Sequence, residues 1–110
     1  VRAAYEERRR AAASIPAQPA AEASVAFEAL RRRFEAIDAT LVGLLAERML
    51  ASRAMVHAKA ALHHPVVDNA REREAAAARR ALGDQLGVDA EMLERVFAEV
   101  VEWSRRLQGG

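Results

Sequence analysis

From Ser24 to Pro65 the chain runs about 40 residues without a proline, and that stretch constrains the fold more than any other feature. Phe27, Leu30, Phe34, Ile37, Leu41, Leu44, Ala51, Met55, Ala58 and Leu62 recur along it at spacings of mostly three and four. That periodicity predicts one long helix, with Ser24 as a candidate N-cap and Pro65 as the stop. At 1.5 Å per residue, such a helix is roughly 60 Å long. This exceeds the diameter of a compact domain of 110 residues. Its apolar stripe therefore needs cover from beyond its own chain, and a second copy is the simplest provider.

The remaining elements are shorter. His64-Pro65-Val66-Val67-Asp68-Asn69 reads as a connection in which Asp68 or Asn69 caps the next helix. That helix is expected from about Ala70 to Leu86, with Gly87 ending it. Asp89 then caps a last helix whose apolar side carries Met92, Leu93, Val96, Phe97, Val100, Val101 and Leu107. Residues 1–23 differ from the rest. A basic run, Arg8 to Arg10, precedes the low-complexity stretch AAASIPAQPAAEA, which suggests a short frayed helix and then a flexible linker. The expected organisation is a tail or linker over 1–23 and one all-α domain over 24–110, with one long helix and two shorter ones.

Composition agrees with a helical globular chain. Hydrophobic residues make up 52% and charged residues 30%, and alanine, the best helix former, is abundant. A formal net charge of +1 gives no reason to expect nucleic acid. The absence of cysteine excludes disulfides, thiolate catalysis and cysteine-based metal sites. No apolar run approaches the roughly 20 residues that span a bilayer, so no membrane partner is expected. The beginning of the sequence carries no apolar core of a signal peptide; a cytoplasmic location is expected, the alternative being an exported form with its signal already removed. His57, His63 and His64 have no acidic partner at metal-ligand spacing and read as surface or loop histidines, so no metal is expected.

Several polar residues interrupt the pattern. Arg48 occupies a stripe position of the long helix. Lys59, eleven residues on, returns to within about 20° of the same face some 16 Å along. Cations beside an apolar seam need an anion or a water-exposed end. Snorkelling or an internal ion pair would satisfy them, and so would an anionic ligand. Arg31 lies about 100° around from Arg48 and roughly 25 Å away, so the two share a small pocket only if a second, antiparallel copy supplies Arg31. The alternative is that Arg31 belongs to a solvated run with Arg32 and Arg33. Arg71 and Glu72 open the helix expected from about Ala70, where a surface first-turn pair is the plain alternative. Ser104 and Gln108, four apart, continue the row of Phe97 and Val101 with hydrogen-bonding groups, or mark where that row fades.

Taken together, ALRRRFEAIDATLVGLLAERM (29–49), the spacing to Lys59, HPVVDNARERE (64–74) and VFAEVVEWSRRLQ (96–108) resemble the all-helical chorismate mutase family. The order and gaps of Arg31, Ile37-Asp38, Arg48, Lys59, Asp68, Arg71-Glu72, Ser104 and Gln108 follow the family pattern over about three quarters of the chain. The resemblance implies an intertwined homodimeric helical bundle with chorismate as the small-molecule substrate and no cofactor. It implies a [3,3]-sigmatropic rearrangement of chorismate to prephenate, in phenylalanine and tyrosine biosynthesis. Carried over by that pattern, Arg48 and Arg31 from the partner chain clamp the two carboxylates, and Lys59 and Gln108 converge on the ether oxygen. Glu72 and the backbone near Asp68 take the ring hydroxyl, Arg71 steadies Glu72, and Ser104 hydrogen-bonds a carboxylate.

Two related activities would use the same scaffold, an aminodeoxychorismate mutase and an isochorismate-pyruvate lyase. A non-catalytic helical dimerisation module is a reading of a different class. It has no reason to keep Arg48, Lys59, Glu72 and Gln108 all on inward faces.

Overall fold

A computed structural model describes residues 2–13 and 20–109. Among them every regular element is an α-helix: α1 (Arg2–Ala13), α2 (Ala20–Leu62), α3 (Asn69–Leu86) and α4 (Ala90–Leu107). The short helix expected around Arg8–Arg10 is α1, so the described chain has four helices rather than three. The polypeptide divides into two compact units, residues 1–44 and 45–110, with the division falling within the sequence of α2.

Helix α2 is 43 residues long and begins earlier than expected. Ser24 lies inside the helix instead of capping it. Ala20, Ala21 and Ala23 favour the helical state, and Glu22 in the first turn meets the positive end of the helix dipole. Of the linker expected up to residue 23, residues 14–19 lie outside the described residues, and residues 20–23 are helical.

At its other end α2 stops in a Schellman arrangement. The His63 N–H donates to the Ala60 carbonyl at 3.2 Å, and the His64 N–H donates to the Lys59 carbonyl at 2.8 Å. The residue that turns left-handed is His63, with φ 56°, where glycine is the usual occupant. Pro65 follows and prevents any return to helix. Helix α3 ends in the same motif with glycine: Gly87 has φ 73°, and the Val88 N–H reaches the Gly83 carbonyl at 2.9 Å. Asp68 caps α3 by accepting from the Arg71 N–H at 3.2 Å, and Asp89 caps α4 by accepting from the Met92 N–H at 2.9 Å.

Within residues 45–110, α3 and α4 pack as an antiparallel pair across the three-residue link. Gly83 is buried at their contact, and a Cβ there would lie 2.7 Å from Leu93 Cδ2. Only glycine allows that approach without displacing Leu93. Arg80 and Glu94 form an ion pair across the same two helices. Arg79 stacks over the Phe97 ring at 4.5 Å.

No hydrophobic side chain among the described residues is buried in the single chain. The stripe residues of α2 are open: Phe27 is 62% exposed, Phe34 66% and Leu41 52%. Helices whose apolar faces are this uncovered lack the main stabilising term of a folded domain.

Candidate functional site

Seven polar side chains of residues 45–110 gather in three hydrogen-bonded groups, carried by α2, α3, α4 and the residue that caps the end of α4. The first group centres on Ser104. Its hydroxyl oxygen accepts from the Arg48 guanidinium and, at 2.9 Å, from the Ser52 hydroxyl. A hydroxyl has two acceptor positions and one proton. Both acceptor positions of Ser104 are therefore occupied, and its own proton remains to be donated. Ser52, 7% exposed, is buried below the pair. Arg48 is half-buried, and that burial, followed by the nearby positive charge of Arg79, pulls its pKa below the usual arginine value. It stays a cation, as arginine does throughout the physiological range.

The second group centres on Lys59, in the last turn of α2, where the free carbonyls favour a positive charge. Its ammonium donates to the Val66 carbonyl at 2.5 Å and to Gln108 Oε1 at 2.7 Å. Lysine carries only donors, so the oxygen of the Gln108 amide must face it. The Gln108 NH₂ consequently points away from Lys59 as a donor. One of the three ammonium protons is likewise uncommitted. Gln108 is positioned because it terminates α4, with its own N–H bonded to the Ser104 and Arg105 carbonyls at 3.1 Å.

Glu72, in the first turn of α3, completes the set. Its partner is Arg105 of α4, which donates from Nε to one carboxylate oxygen at 2.9 Å and from a terminal nitrogen to the other. The Arg105 hydrogen bonds hold the Glu72 carboxyl below its ordinary pKa, burial opposes them, and the charges of Arg105 and Lys59 assist. Arg105 is pushed up in turn, first by the hydrogen bonds to Glu72 and then by its charge.

The expected site residues thus fall into place unequally. Arg48, Lys59, Glu72, Ser104 and Gln108 belong to this cluster. Asp68 spends its carboxylate on the α3 cap. Arg71 does not pair with Glu72 as expected; it donates to Glu74 at 3.4 Å. Neighbouring residues on a helix diverge by about 100°, whereas residues three apart stand over one another. Arg31 belongs to the first unit and lies 3.7 Å from Glu28. Sequence inspection missed Ser52 and Arg105. Ser52 lies on the Arg48 face at i+4, a signal that was available. Arg105 carried none, because arginine beside arginine near a helix end resembles any solvated pair. Among the described residues no cluster of His, Asp or Glu could hold a metal ion, and no helix is long and apolar enough to cross a membrane.

A cleft of about 970 Å³ between α3 and α4 reaches the cluster through Glu72 and Arg105. Arg48, Lys59, Ser104 and Gln108 do not line it. The cluster can bind anions through Arg48 and Lys59 and present neutral donors through Ser104 and Gln108. It offers one carboxylate acceptor and no nucleophile poised beside a base.

Compared with known proteins, residues 30–109 match the family model described as chorismate mutase type II. A relative from Enterobacter agglomerans, the "Bifunctional chorismate mutase/prephenate dehydratase", is 39% identical over 74 residues. The match covers 67% of this chain and 19% of that protein's length. No solved structure matches the chain.

Proposed function

The chain belongs to the chorismate mutase type II family, and from that premise we propose that it rearranges chorismate to prephenate as a homodimer. The Lys59–Gln108 contact is the observation that carries this reading. In the [3,3]-sigmatropic shift the ether C–O bond breaks as a C–C bond forms, and negative charge grows on the ether oxygen. A cation with a spare proton and an amide whose NH₂ points outward suit that oxygen. Their gain is larger in the transition state than in the ground state, which is what accelerates the reaction. No covalent intermediate is needed, in keeping with a cluster that has no activated nucleophile.

The other groups divide the binding. Arg48 meets one substrate carboxylate with its planar fork, assisted by the free proton of Ser104. Glu72 accepts the ring hydroxyl, with the backbone near Asp68 beside it. Arg71 adds to the positive field from the surface. Arg31 of a second copy supplies the clamp for the other carboxylate. The uncovered apolar face of α2 supports the dimer, since a chain with no buried hydrophobic side chain among its described residues has strong reason to associate. The mutase domain is taken as residues 24–110 and residues 1–23 as a tail or linker, the enzyme serving phenylalanine and tyrosine synthesis in the cytoplasm without a cofactor.

Mixing the purified chain with chorismate and following the loss of its absorbance tests the proposal. Conversion to prephenate supports it. Conversion of aminodeoxychorismate or isochorismate alone would assign a related activity, and turnover of none of them would leave a binding module.

A further inference from the structure

The geometry points to Arg105 as a positioning residue that fixes the plane of the Glu72 carboxylate, so that the acceptor positions the guanidinium leaves open on its oxygens face the substrate hydroxyl. This rests on the reading of Glu72 as the acceptor of that hydroxyl. Arg105 reaches Glu72 from another helix, 33 residues away in sequence, and engages both carboxylate oxygens. A two-pronged contact fixes the plane of a carboxylate, which a single bond or a lysine does not.

Each carboxylate oxygen has room for two hydrogen bonds, so the fork leaves an acceptor position on each. The pair is part-exposed, with side chains 42% and 32% accessible, and in such a setting an ion pair adds little to stability. Orientation is what it can supply. Arg105 also follows Ser104 directly and precedes Gln108 by three, so α4 carries a carboxylate-facing hydroxyl, the Glu72 holder and the ether-facing amide within one and a half turns.

The charged groups facing Glu72 are Arg105 on α4, Lys59 on α2 and Asp68 just before α3; Glu102 on α4 acts on Arg105. Arg105 is the largest of these influences and favours the ionised carboxylate, the better acceptor. Removing it raises the Glu72 pKa. The acid limb of kcat/KM, where Glu72 takes up a proton, then moves to higher pH.

The test is a double-mutant cycle on the full chain with chorismate, using Arg105→Ala, Glu72→Ala and both together, with Arg105→Lys alongside. Arg105→Ala should lower kcat/KM by about 10- to 100-fold, the scale of a misplaced positioning contact. It should cost nothing further when Glu72 is already Ala. Arg105→Lys should restore the acid limb, because the charge returns, but only part of the rate, because the fork does not.

An equal loss in both backgrounds would show that Arg105 touches the substrate itself and overturn the proposal. So would no loss with Glu72 intact. A ¹³C titration of the Glu72 carboxyl gives a readout independent of turnover. Its midpoint should rise in Arg105→Ala with the circular dichroism unchanged, and an unmoved midpoint would overturn the proposal. Should the unaltered chain leave chorismate untouched, the mutase reading fails, while this titration still decides whether Arg105 governs Glu72.

Discussion

The two halves of α2 share one periodicity and do different work. From Phe27 to Leu44 the stripe is apolar, and no described residue of its own unit buries it. From Leu45 to Leu62 the same face is interrupted by Arg48, Ser52 and Lys59, and their polar atoms meet Ser104, Gln108 and the Val66 carbonyl. A helical repeat shows which face must be covered without showing by what. In the second half, α4 answers with hydrogen-bonding side chains. In the first half, the proposed answer is another copy of the chain.

Four outcomes would sharpen or break that contrast. Lys59→Ala should lower kcat by about 10²–10³-fold, the usual loss for one donor to a developing oxyanion. Its oligomeric state by light scattering should not change, because the proposed association runs through the other half. An inactive variant that also dissociates would merge the two roles. A charge placed in the open stripe, Leu41→Glu, should convert the proposed dimer to a poorly helical monomer, seen by sedimentation and circular dichroism. A burial cost of several kcal/mol for an unpaired carboxylate makes the effect large. If the halves cooperate through Arg31, a mixed dimer of Arg31→Ala and Lys59→Ala chains should recover one working pocket of two, where either variant alone has none. Activity no higher than that of the parent variants would rule out a shared site.

The smallest effect concerns the end of α2. His63 holds a left-handed conformation that costs an L-residue about 1–2 kcal/mol, so His63→Gly should raise the unfolding free energy by at most about 1 kcal/mol after the extra chain entropy of glycine. Glycine can keep the backbone hydrogen bonds that end α2 beside Lys59, so turnover should persist. A loss of activity in this variant would mean that the strained turn sets the Lys59 position.

The pH behaviour of Glu72 has a definite sign. Its folded pKa is depressed, so the Arg105 contact contributes stability above the unfolded carboxyl range and loses it as pH falls through the lower folded value.

Helix identities were legible in the chain because they follow from local terms. The repeat from Phe27 to Leu62, the Asp68 and Asp89 caps and the Gly87 stop each act within a few residues. Arg48 and Lys59 stood out as cations where the repeat wanted apolar groups. The resemblance supplied the rest of the expected site.

What the tertiary structure decided is which side chains meet. Arg71 stood out beside Glu72 in the sequence and Arg105 did not, yet Arg105 is the one that reaches Glu72, because the packing of α3 on α4 brings that pair together while the helical turn sends Arg71 to Glu74. Spacing along a chain fixes directions around one helix axis. Distances between helices depend on crossing and close approach, as at Gly83 against Leu93, and those arise only when the faces pack.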